Sequence, residues 1–398
     1  MSHMEKIFSF GSADADALAQ LRRCLSVSGE DAIGVLCADH HKGYGMPIGG
    51  VIASKSVVMP AGVGYDIGCG NYAVETPVLA KDVNVANVMD EIAMTISFGM
   101  GRKRFQSIDT GLPIFHDIAH AESVFQRGLL DLAIAQLGTV GSGNHYVNLF
   151  EDRATGRVWI GVHFGSRGFG HKTATHYLEE TAKYLGVNPA NGMDDIPLVL
   201  PRASALAIEY LGAMRVAGQY AFAGREWVVN RVLRILGTQP ITHVHNHHNY
   251  AWFETHDGEW YLVTRKGATP AFPGQMGFVG GSMGEDAVII RGENTPGSRD
   301  GLFSAMIGAG RAMGRMEAAG KYKNGICVRP GKIDWQARDD LKVKGIELRG
   351  GAADEAPLAY KRLPSVIAAH GTTITVMHTL RPIGVAMAGA NDYDPYKD

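Results

Sequence analysis

Residues 59–70 read Met59-Pro60-Ala61-Gly62-Val63-Gly64-Tyr65-Asp66-Ile67-Gly68-Cys69-Gly70 and follow an apolar, strand-like run. Within this stretch a carboxylate and a thiol stand three residues apart among four glycines, where the backbone can turn tightly. The side chains of Asp66 and Cys69 can therefore converge on one cation. The structural alternative is a glycine-rich turn that buries an inert cysteine, and this stretch alone does not decide between the two.

Histidines in comparable polar or glycine-containing settings occur elsewhere in the chain. They lie in Gly143-Asn144-His145, in Val162-His163-Phe164-Gly165-Ser166-Arg167-Gly168, in His245-Asn246-His247-His248-Asn249 and in Asp39-His40-His41. Imidazole, thiolate and carboxylate groups are the usual ligands of transition metals. Together these stretches favour a metal site over an inert turn.

The length and charge of the chain limit the classes of protein to consider. Its 398 residues exceed the ~100–200 residues of an ordinary domain, which predicts one large domain or two. A net charge of −2 provides no global basic field, so a nucleic-acid contact would need a local patch. No apolar run reaches the ~18 residues of a membrane span, so we expect no membrane partner. Residues 1–4 look like an expression remnant and not like a signal peptide.

The cysteines and glycines add two further expectations. Four widely spaced cysteines without a Cys-x-x-Cys pair argue against a disulfide framework and against a structural zinc knuckle. We therefore expect a reducing, cytoplasmic location. The 51 glycines predict many tight turns, without the period of a repeat protein.

The order of apolar patterns predicts an α+β fold. Strand-like runs alternate with glycine turns over residues 33–78, a more charged helical pattern covers 82–137, and residues 203–236 are apolar at helical spacing. No long linker separates these parts. We therefore predict one mixed α/β domain over residues 5–398, built around a central metal site.

Glycine-rich turns lie next to several of the polar stretches. One precedes His145 and the apolar run 146–150, and another follows His163 at the end of the run 158–163. A third, Gly308-Ala309-Gly310-Arg311, leads towards a predicted helix. Backbone N–H groups in such turns can bind phosphate. None of them has the signature of a P-loop or of a dinucleotide-binding fold.

Six stretches, taken in order, resemble the signature sequences of the RtcB family of RNA-splicing ligases. They are Asp66-Ile67-Gly68-Cys69-Gly70, Gly141-Ser142-Gly143-Asn144-His145, His163-Phe164-Gly165-Ser166-Arg167-Gly168, His248-Asn249, Arg265-Lys266-Gly267-Ala268 and Gly308-Ala309-Gly310-Arg311. The resemblance runs from about residue 33 to the C-terminus. It implies a single domain with a two-metal manganese site beneath a GTP pocket. It also implies a ligase of RNA repair and tRNA splicing that joins ends bearing a 3′-phosphate or 2′,3′-cyclic phosphate to 5′-hydroxyl ends.

The resemblance also implies a set of metal ligands. Cys69 would bridge two metals, with Asp66 and His145 completing one site and with His163 and His248 completing the other. Two cations that share a ligand can neutralise a phosphate and activate oxygens on either side of it. The ligand types alone favour zinc by intrinsic affinity, so manganese is implied by the resemblance only.

Further residues would contact the nucleotide or the RNA end. The resemblance places Asp39 and His41 beside the metals, Asn144, Asn249, Gly308 and Gly310 near the nucleotide, Ser282 and Tyr360 in its pocket, and Lys266, Arg167 and Arg311 against phosphate or the RNA end. Each of these is otherwise a surface cation or a turn-capping side chain. The residues alone favour that alternative for Lys266, Ser282 and Tyr360. An accessory activator protein is a further expected partner.

Three positions depart from the family pattern. The family's guanylylated histidine precedes Gly-Ala-Gly-Arg, where this chain has Ile307, and isoleucine has no lone pair with which to accept GMP. Asn148 stands where the family has a carboxylate that binds guanine, and an amide presents donors to guanine's own donors. The family's C-terminal lysine has no match near Gly389, although Lys397 lies close to that position.

These departures leave three functions open. The first is an RNA ligase of this family that is impaired in guanylylation. The second is a two-metal hydrolase that opens cyclic phosphates or removes terminal phosphates from RNA. The third is a non-catalytic protein that binds RNA ends or nucleotides.

Overall fold

The computed structural model describes residues 6–188, 197–323, 326–335, 337–390 and 392. Strands and helices interleave along the chain, which confirms the predicted mixed α/β class. Residues 1–4 and the tail that contains Lys397 lie outside the described residues. Among the helices described, none is both long and apolar enough to cross a membrane.

The strands are numbered in chain order. They are β1 Lys6–Ser9, β2 Ile33–His41, β3 Ile48–Ser54, β4 Val57–Val58, β5 Gly70–Leu79, β6 Ser97–Phe98, β7 Thr139–Gly141, β8 Tyr146–Asp152, β9 Arg157–Phe164, β10 Leu200–Pro201, β11 Thr242–His247, β12 Asn249–His256, β13 Glu259–Lys266, β14 Ala268–Pro270, β15 Met276–Val279, β16 Ala287–Gly292, β17 Ser304–Met306, β18 Gly320–Lys323, β19 Ile326–Pro330, β20 Glu347–Gly351 and β21 Ile374–Gly389.

The α-helices are numbered in the same way. They are α1 Ala15–Leu25, α2 Pro60–Val63, α3 Val85–Thr95, α4 Pro113–Ala119, α5 Val124–Arg127, α6 Leu130–Gln136, α7 Arg167–Tyr184, α8 Ala205–Ile235, α9 Pro296–Asp300, α10 Arg315–Ala319, α11 Ala337–Val343 and α12 Leu363–His370. Short 3₁₀ turns cover Ala80–Asp82, Ala353–Glu355, Pro357–Ala359 and Gly371–Thr373.

The larger sheet has eight strands in the order β11-β5-β9-β8-β21-β16-β15, and β20 pairs with β21 outside this path. Its central strand β9 is buried on both faces, which suits its β-branched and aromatic sequence. Alternate residues such as Val158 and Val162 pack with Val228 and Val232 of α8. Trp159 packs on the opposite face, and His163 lies on that face too because side chains alternate along a strand.

The smaller sheet has five strands in the order β1-β2-β3-β13-β12. Its core includes Val35, Val51 and Val263. Strand β11 of the larger sheet continues through His248 directly into β12 of the smaller sheet. His248 therefore lies where the two sheets meet.

The apolar stretch 203–236 forms one long helix, α8, which packs between α7 and the larger sheet. Ser204 caps its start, because the Ser204 side chain accepts a hydrogen bond from the backbone N–H of Ala207. Tyr210 and Tyr220 are buried in the core, as the helical spacing predicts.

All four cysteines are free. Cys24, Cys37 and Cys69 are buried, and Cys327 is exposed. The expectation of a chain without a disulfide framework is met by this arrangement.

Candidate metal centre

The stretch 59–70 forms one helical turn, α2, followed by a loop that ends at β5. The backbone N–H of Cys69 donates a hydrogen bond of 3.0 Å to the carbonyl of Asp66, which closes a tight turn. Gly68 takes a φ of +69° within it, and a Cβ there would lie 3.0 Å from Gly218 of α8. Glycine is needed at this position for both reasons. The turn directs the Asp66 and Cys69 side chains to the same side.

Strand register brings the histidines to this turn. Tyr146 of β8 lies opposite His163 of β9, and Asn71 of β5 lies opposite His163 on its other side. His145 directly precedes β8 and Cys69 directly precedes β5, so all three side chains meet at one end of the sheet. At the sheet junction, the backbone N–H of His248 donates to the carbonyl of Cys69 at 2.8 Å.

The five predicted metal ligands come together in two groups that share Cys69. Its Sγ lies 3.4 Å from Nε2 of His163 and 3.6 Å from Nε2 of His145. Nε2 of His145 lies 3.2 Å from Oδ2 of Asp66. One group contains Cys69, His163 and His248, the other contains Asp66, Cys69 and His145, and the ligand atoms of each group lie within 4.8 Å of one another.

The protonation states of these groups suit metal binding. Burial lowers the pKa of His163 to about 3, with a further contribution from the charge of His145, and burial holds the pKa of His248 well below its usual value. Both rings are therefore neutral near pH 7 and keep a lone pair for a metal. Burial raises the pKa of Asp66, but the hydrogen bond and charge of His145 and the charge of Arg167 outweigh this effect and hold the pKa below its usual range.

Asp66 supplies one anionic ligand, His163 and His248 supply two neutral ligands, and Cys69 would supply a second anionic ligand once it loses its proton. Burial and the Asp66 carboxylate raise the pKa of the Cys69 thiol well above its usual value. A cation that binds Sγ would displace this proton. His145 is also oriented for binding, because its Nδ1 lies 3.1 Å from the Val140 carbonyl and Nε2 faces the other ligands. This donor set fits a pair of divalent cations.

Arg167, the first residue of α7, lies against the group that contains Asp66, Cys69 and His145. Its Nη1 is 3.1 Å from Nδ1 of His145, and its guanidinium occupies the space that a side chain at Gly141 would fill. The φ of Arg167 is +53°, in the left-handed region that non-glycine residues seldom adopt. Such backbone strain concentrates at functional sites.

The side chain of Asp39 contacts the backbone of Ile307. Oδ2 of Asp39 accepts a hydrogen bond of 3.0 Å from the N–H of Ile307, and Nδ1 of His41 lies 3.1 Å from the Asp39 carbonyl. The Ile307 carbonyl accepts from the side chain of Asn71 at 3.4 Å, two residues beyond Cys69. The turn of residues 66–69, which carries the predicted ligands Asp66 and Cys69, is called the metal-ligand turn below. Position 307 is therefore one hydrogen bond from β5, the strand that follows this turn. Gly310 also approaches closely, since a Cβ there would lie 2.2 Å from the Asp39 carbonyl.

Arg311 and Tyr360 contact each other. Nη1 of Arg311 lies 3.2 Å from the Tyr360 hydroxyl and 3.3 Å from Oε1 of Glu355, and the guanidinium stacks over the Tyr360 ring at 5.1 Å. The Tyr360 hydroxyl donates to Oε2 of Glu355. These contacts form a compact charged cluster beyond the Gly308–Gly310 turn.

The remaining predicted residues are spread around the centre. Asn249 holds the metal-ligand turn, because its Nδ2 donates to the Asp66 carbonyl at 3.3 Å and its Oδ1 accepts from the N–H of Gly267 at 2.8 Å. Lys266 contacts backbone carbonyls, at 3.5 Å in the case of Ala61. Ser282 lies 3.4 Å from Glu285, Asn144 is exposed, and Asn148 is buried.

Sequence reasoning missed Arg225 of α8. Its guanidinium is completely buried and bonds to His245, His247 and two backbone carbonyls beside the predicted ligands. The available signal was a charged residue inside an apolar helical pattern. His247 is also buried, with Nδ1 2.9 Å from the Gly68 carbonyl.

Comparison with known proteins places these residues in a family context. A family model described as tRNA-splicing ligase RtcB matches residues 20–388. An RNA-splicing ligase RtcB of Escherichia coli strain K12 is 32% identical over 374 residues, which cover 87% of each chain. A tRNA-splicing ligase RtcB of Thermococcus kodakarensis is 30% identical over 88% of this chain and 87% of the relative. One from Archaeoglobus fulgidus is 29% identical over 94% and 91%.

Proposed function

This chain belongs to the RtcB family of tRNA-splicing ligases, and from that premise we propose that it joins RNA ends bearing a 3′-phosphate or 2′,3′-cyclic phosphate to 5′-hydroxyl ends, using two divalent cations and GTP. Membership makes it an RNA ligase, an enzyme that acts on RNA. The observation that carries the finer proposal is the pair of ligand groups that share Cys69.

Asp66, Cys69, His145, His163 and His248 would hold the two cations. When bound, the cations neutralise a phosphate and polarise its oxygens. The family resemblance implies manganese, whereas a thiolate and imidazoles also accept zinc. Cys69 and His163 are buried, which limits the access of bulk water to these two ligands.

Arg167 would bind the terminal phosphate of the RNA. Its guanidinium lies beside His145, and a planar guanidinium can donate two hydrogen bonds to one phosphate. Once GMP has been attached to that phosphate at the expense of GTP, the 5′-hydroxyl oxygen would attack the phosphorus. A new P–O bond would form, GMP would leave with the electrons of the broken P–O bond, and the hydroxyl proton would pass to water. The position of Arg167 next to His145 supports this role over that of a general contact with the RNA backbone.

The nucleotide would lie towards the charged cluster of Arg311 and Tyr360. We propose that the Gly308–Gly310 turn contacts its phosphates. The further proposed contacts are Asn144, Asn249, Lys266 and Ser282. Lys397 is retained as a candidate from the sequence. Asn148 would contact the base, with its buried amide in place of a carboxylate.

Guanylylation is proposed to be impaired. The side chain of Ile307 carries no atom that can attack the α-phosphorus of GTP, so no GMP can be transferred to this position. A second candidate function follows from the same observation. With the metal ligands in place and the acceptor missing, the centre could hydrolyse terminal or cyclic phosphates of RNA without joining ends.

We further propose one catalytic domain over residues 5–398 and a cytoplasmic location, which the buried free thiols of Cys24 and Cys37 support. An accessory activator protein is retained as a proposed partner. No membrane partner is proposed.

A joining assay tests the proposal. The protein would be incubated with Mn²⁺, GTP and two labelled RNA strands, one ending in a 3′-phosphate and the other starting with a 5′-hydroxyl. GTP-dependent joining that is absent or nearly absent in this chain and appears in Ile307→His supports the ligase. Release of phosphate or ring opening without GTP supports the hydrolase. Strands with 3′-hydroxyl and 5′-phosphate ends are the control, and joining of those strands would contradict the proposed end chemistry.

A further inference from the structure

Arg225 directs a completely buried guanidinium at the back of the metal-ligand turn. Its Nη1 donates to the Gly68 carbonyl at 2.9 Å and to the Phe164 carbonyl at 2.6 Å. Its Nε donates to Nε2 of His245 at 2.8 Å, and its Nη2 lies 3.1 Å from Nδ1 of His247. One side chain thus contacts four groups from three separate segments.

Three of these groups adjoin a predicted metal ligand in sequence. Gly68 directly precedes Cys69, Phe164 directly follows His163, and His247 directly precedes His248. These neighbours come from the loop before β5, from the end of β9 and from the end of β11. Arg225 therefore links the three segments that carry the ligands of the group Cys69, His163 and His248.

Gly70 provides a second observation. A Cβ at this position would lie 3.0 Å from Cζ of Arg225 and 2.1 Å from the Asn246 carbonyl. The absence of a side chain at Gly70 therefore allows the backbone of β5 to approach the guanidinium of Arg225 closely. The space behind the metal-ligand turn is shaped around Arg225.

The surroundings of Arg225 are also unusual for a buried, charged side chain. Among the residues that the structure describes, no carboxylate forms an ion pair with it, and its hydrogen-bond partners are carbonyls and imidazoles. A buried cation without a paired anion is costly. The Asp66 carboxylate supplies negative charge nearby, and Cys69 would add to it once its thiol loses its proton.

We propose that Arg225 is a positioning residue of the metal centre, which holds Cys69, His163 and His248 in one arrangement by bonding to their sequence neighbours. This inference rests on the proposed two-metal function. A guanidinium can do this because its donors point in fixed, divergent directions. A lysine at the same place has a single ammonium group and cannot reproduce the whole set.

The alternative is that Arg225 only secures α8 against the sheet. Arg104 is a matched control for that role, since its Nη1 donates to the carbonyls of Ile134 at 2.8 Å and Leu137 at 3.0 Å. Neither carbonyl belongs to a residue that adjoins a predicted ligand. Arg104→Met therefore removes a comparable set of backbone contacts away from the centre.

The test uses cobalt as the probe and does not depend on ligation. Metal-free wild-type protein, Arg225→Met, Arg225→Lys and Arg104→Met would each be titrated with Co²⁺. The thiolate-to-cobalt charge-transfer band and the visible d–d bands report ligation by sulfur and the geometry of the site. Thermal unfolding of the metal-free proteins establishes that each variant is folded.

We expect Arg225→Met to lower cobalt affinity by about 10- to 100-fold and to change the d–d bands, as loss of a group that orients ligands does. Arg225→Lys should not restore either property, and Arg104→Met should bind cobalt like the wild type. If Arg225→Met does not fold, Arg225→Lys decides. Wild-type affinity and spectrum in a folded Arg225 variant would overturn the inference. A wild-type protein that binds fewer than two Co²⁺ would instead contradict the proposed function.

Discussion

The backbone N–H of Ile307 donates a hydrogen bond of 3.0 Å to Oδ2 of Asp39, which is completely surrounded by protein. The other carboxylate oxygen of Asp39 is buried without a hydrogen-bond partner among the described residues. A carboxylate is thus held beside position 307, where the side chain itself offers nothing to bond.

Asp39 should reduce the stability of the metal-free protein at neutral and higher pH. Burial, opposed by the N–H groups of Ile307 and Gly308, raises the pKa of Asp39 from 3.8 to about 7. Because the folded pKa is raised, the stabilising effect of the protonated form is complete below pH 3.8 and is lost as pH rises through about 7. Above that pH the ionised carboxylate lowers the free energy of unfolding by at most about 4 kcal/mol, because a pKa difference of one corresponds to about 1.4 kcal/mol.

Asp39→Asn removes this charge and should raise the free energy of unfolding more at pH 8 than at pH 4.5. Denaturant unfolding of the metal-free protein at both pH values measures the effect. Asp117→Asn, at an exposed carboxylate on α4, is the control and should show no comparable gain. The same change in stability at both pH values would show that Asp39 is not a buried charge.

Cys69→Ala should remove both metals, because both ligand groups depend on its sulfur. Cys24→Ala and Cys327→Ala should keep them, since neither residue belongs to either group. Elemental analysis of metal per chain measures the result. Two metals retained by Cys69→Ala would show that the sulfur does not bridge them.

Arg167→Ala should weaken binding of RNA that ends in a 3′-phosphate more than binding of RNA that ends in a 3′-hydroxyl. A desolvated guanidinium–phosphate contact contributes about 1.5–3 kcal/mol, so the difference should be about 10- to 150-fold in the dissociation constant. Fluorescence titration with both RNA strands measures it. Arg153→Ala, which removes a surface arginine paired with Asp286 at 2.8 Å, is the control. Equal losses for both RNA ends would make Arg167 a general backbone contact.

The sequence predicted which side chains the structure brings together at the candidate metal centre better than it predicted the residues that hold them. Asp66, His145 and His163 lie at turns or strand ends next to glycines, and such positions are visible from local patterns. Their convergence depends on the pairing of β5 with β9 and of β8 with β9. The local patterns alone did not predict this convergence, and the family resemblance implied it.

Arg225 could not be predicted in the same way. It lies on α8, 156 residues after Cys69 in the chain. Which face of α8 meets the metal-ligand turn depends on packing against the sheet, and helical spacing alone does not specify it. Arg104 lies in a loop, and its guanidinium turns inward to backbone carbonyls of residues that are distant in the sequence.

We propose an RtcB-type centre in which Ile307 stands where the family has the group that accepts GMP. Ile307→His supplies an imidazole of similar bulk beside Asp39, and Asn148→Glu in the same chain should improve binding of guanine further. The two substitutions act on different parts of the proposed nucleotide site, so each can be scored separately.

The most direct measurement is transfer of label from α-labelled GTP to protein in the presence of Mn²⁺, with two bound metals verified first. We expect no acid-labile protein–GMP adduct in the chain as it stands, an adduct in Ile307→His, and more adduct in the variant that also carries Asn148→Glu. An adduct in the unsubstituted chain would show that another residue accepts GMP, and no adduct in the double variant with both metals bound would contradict the account.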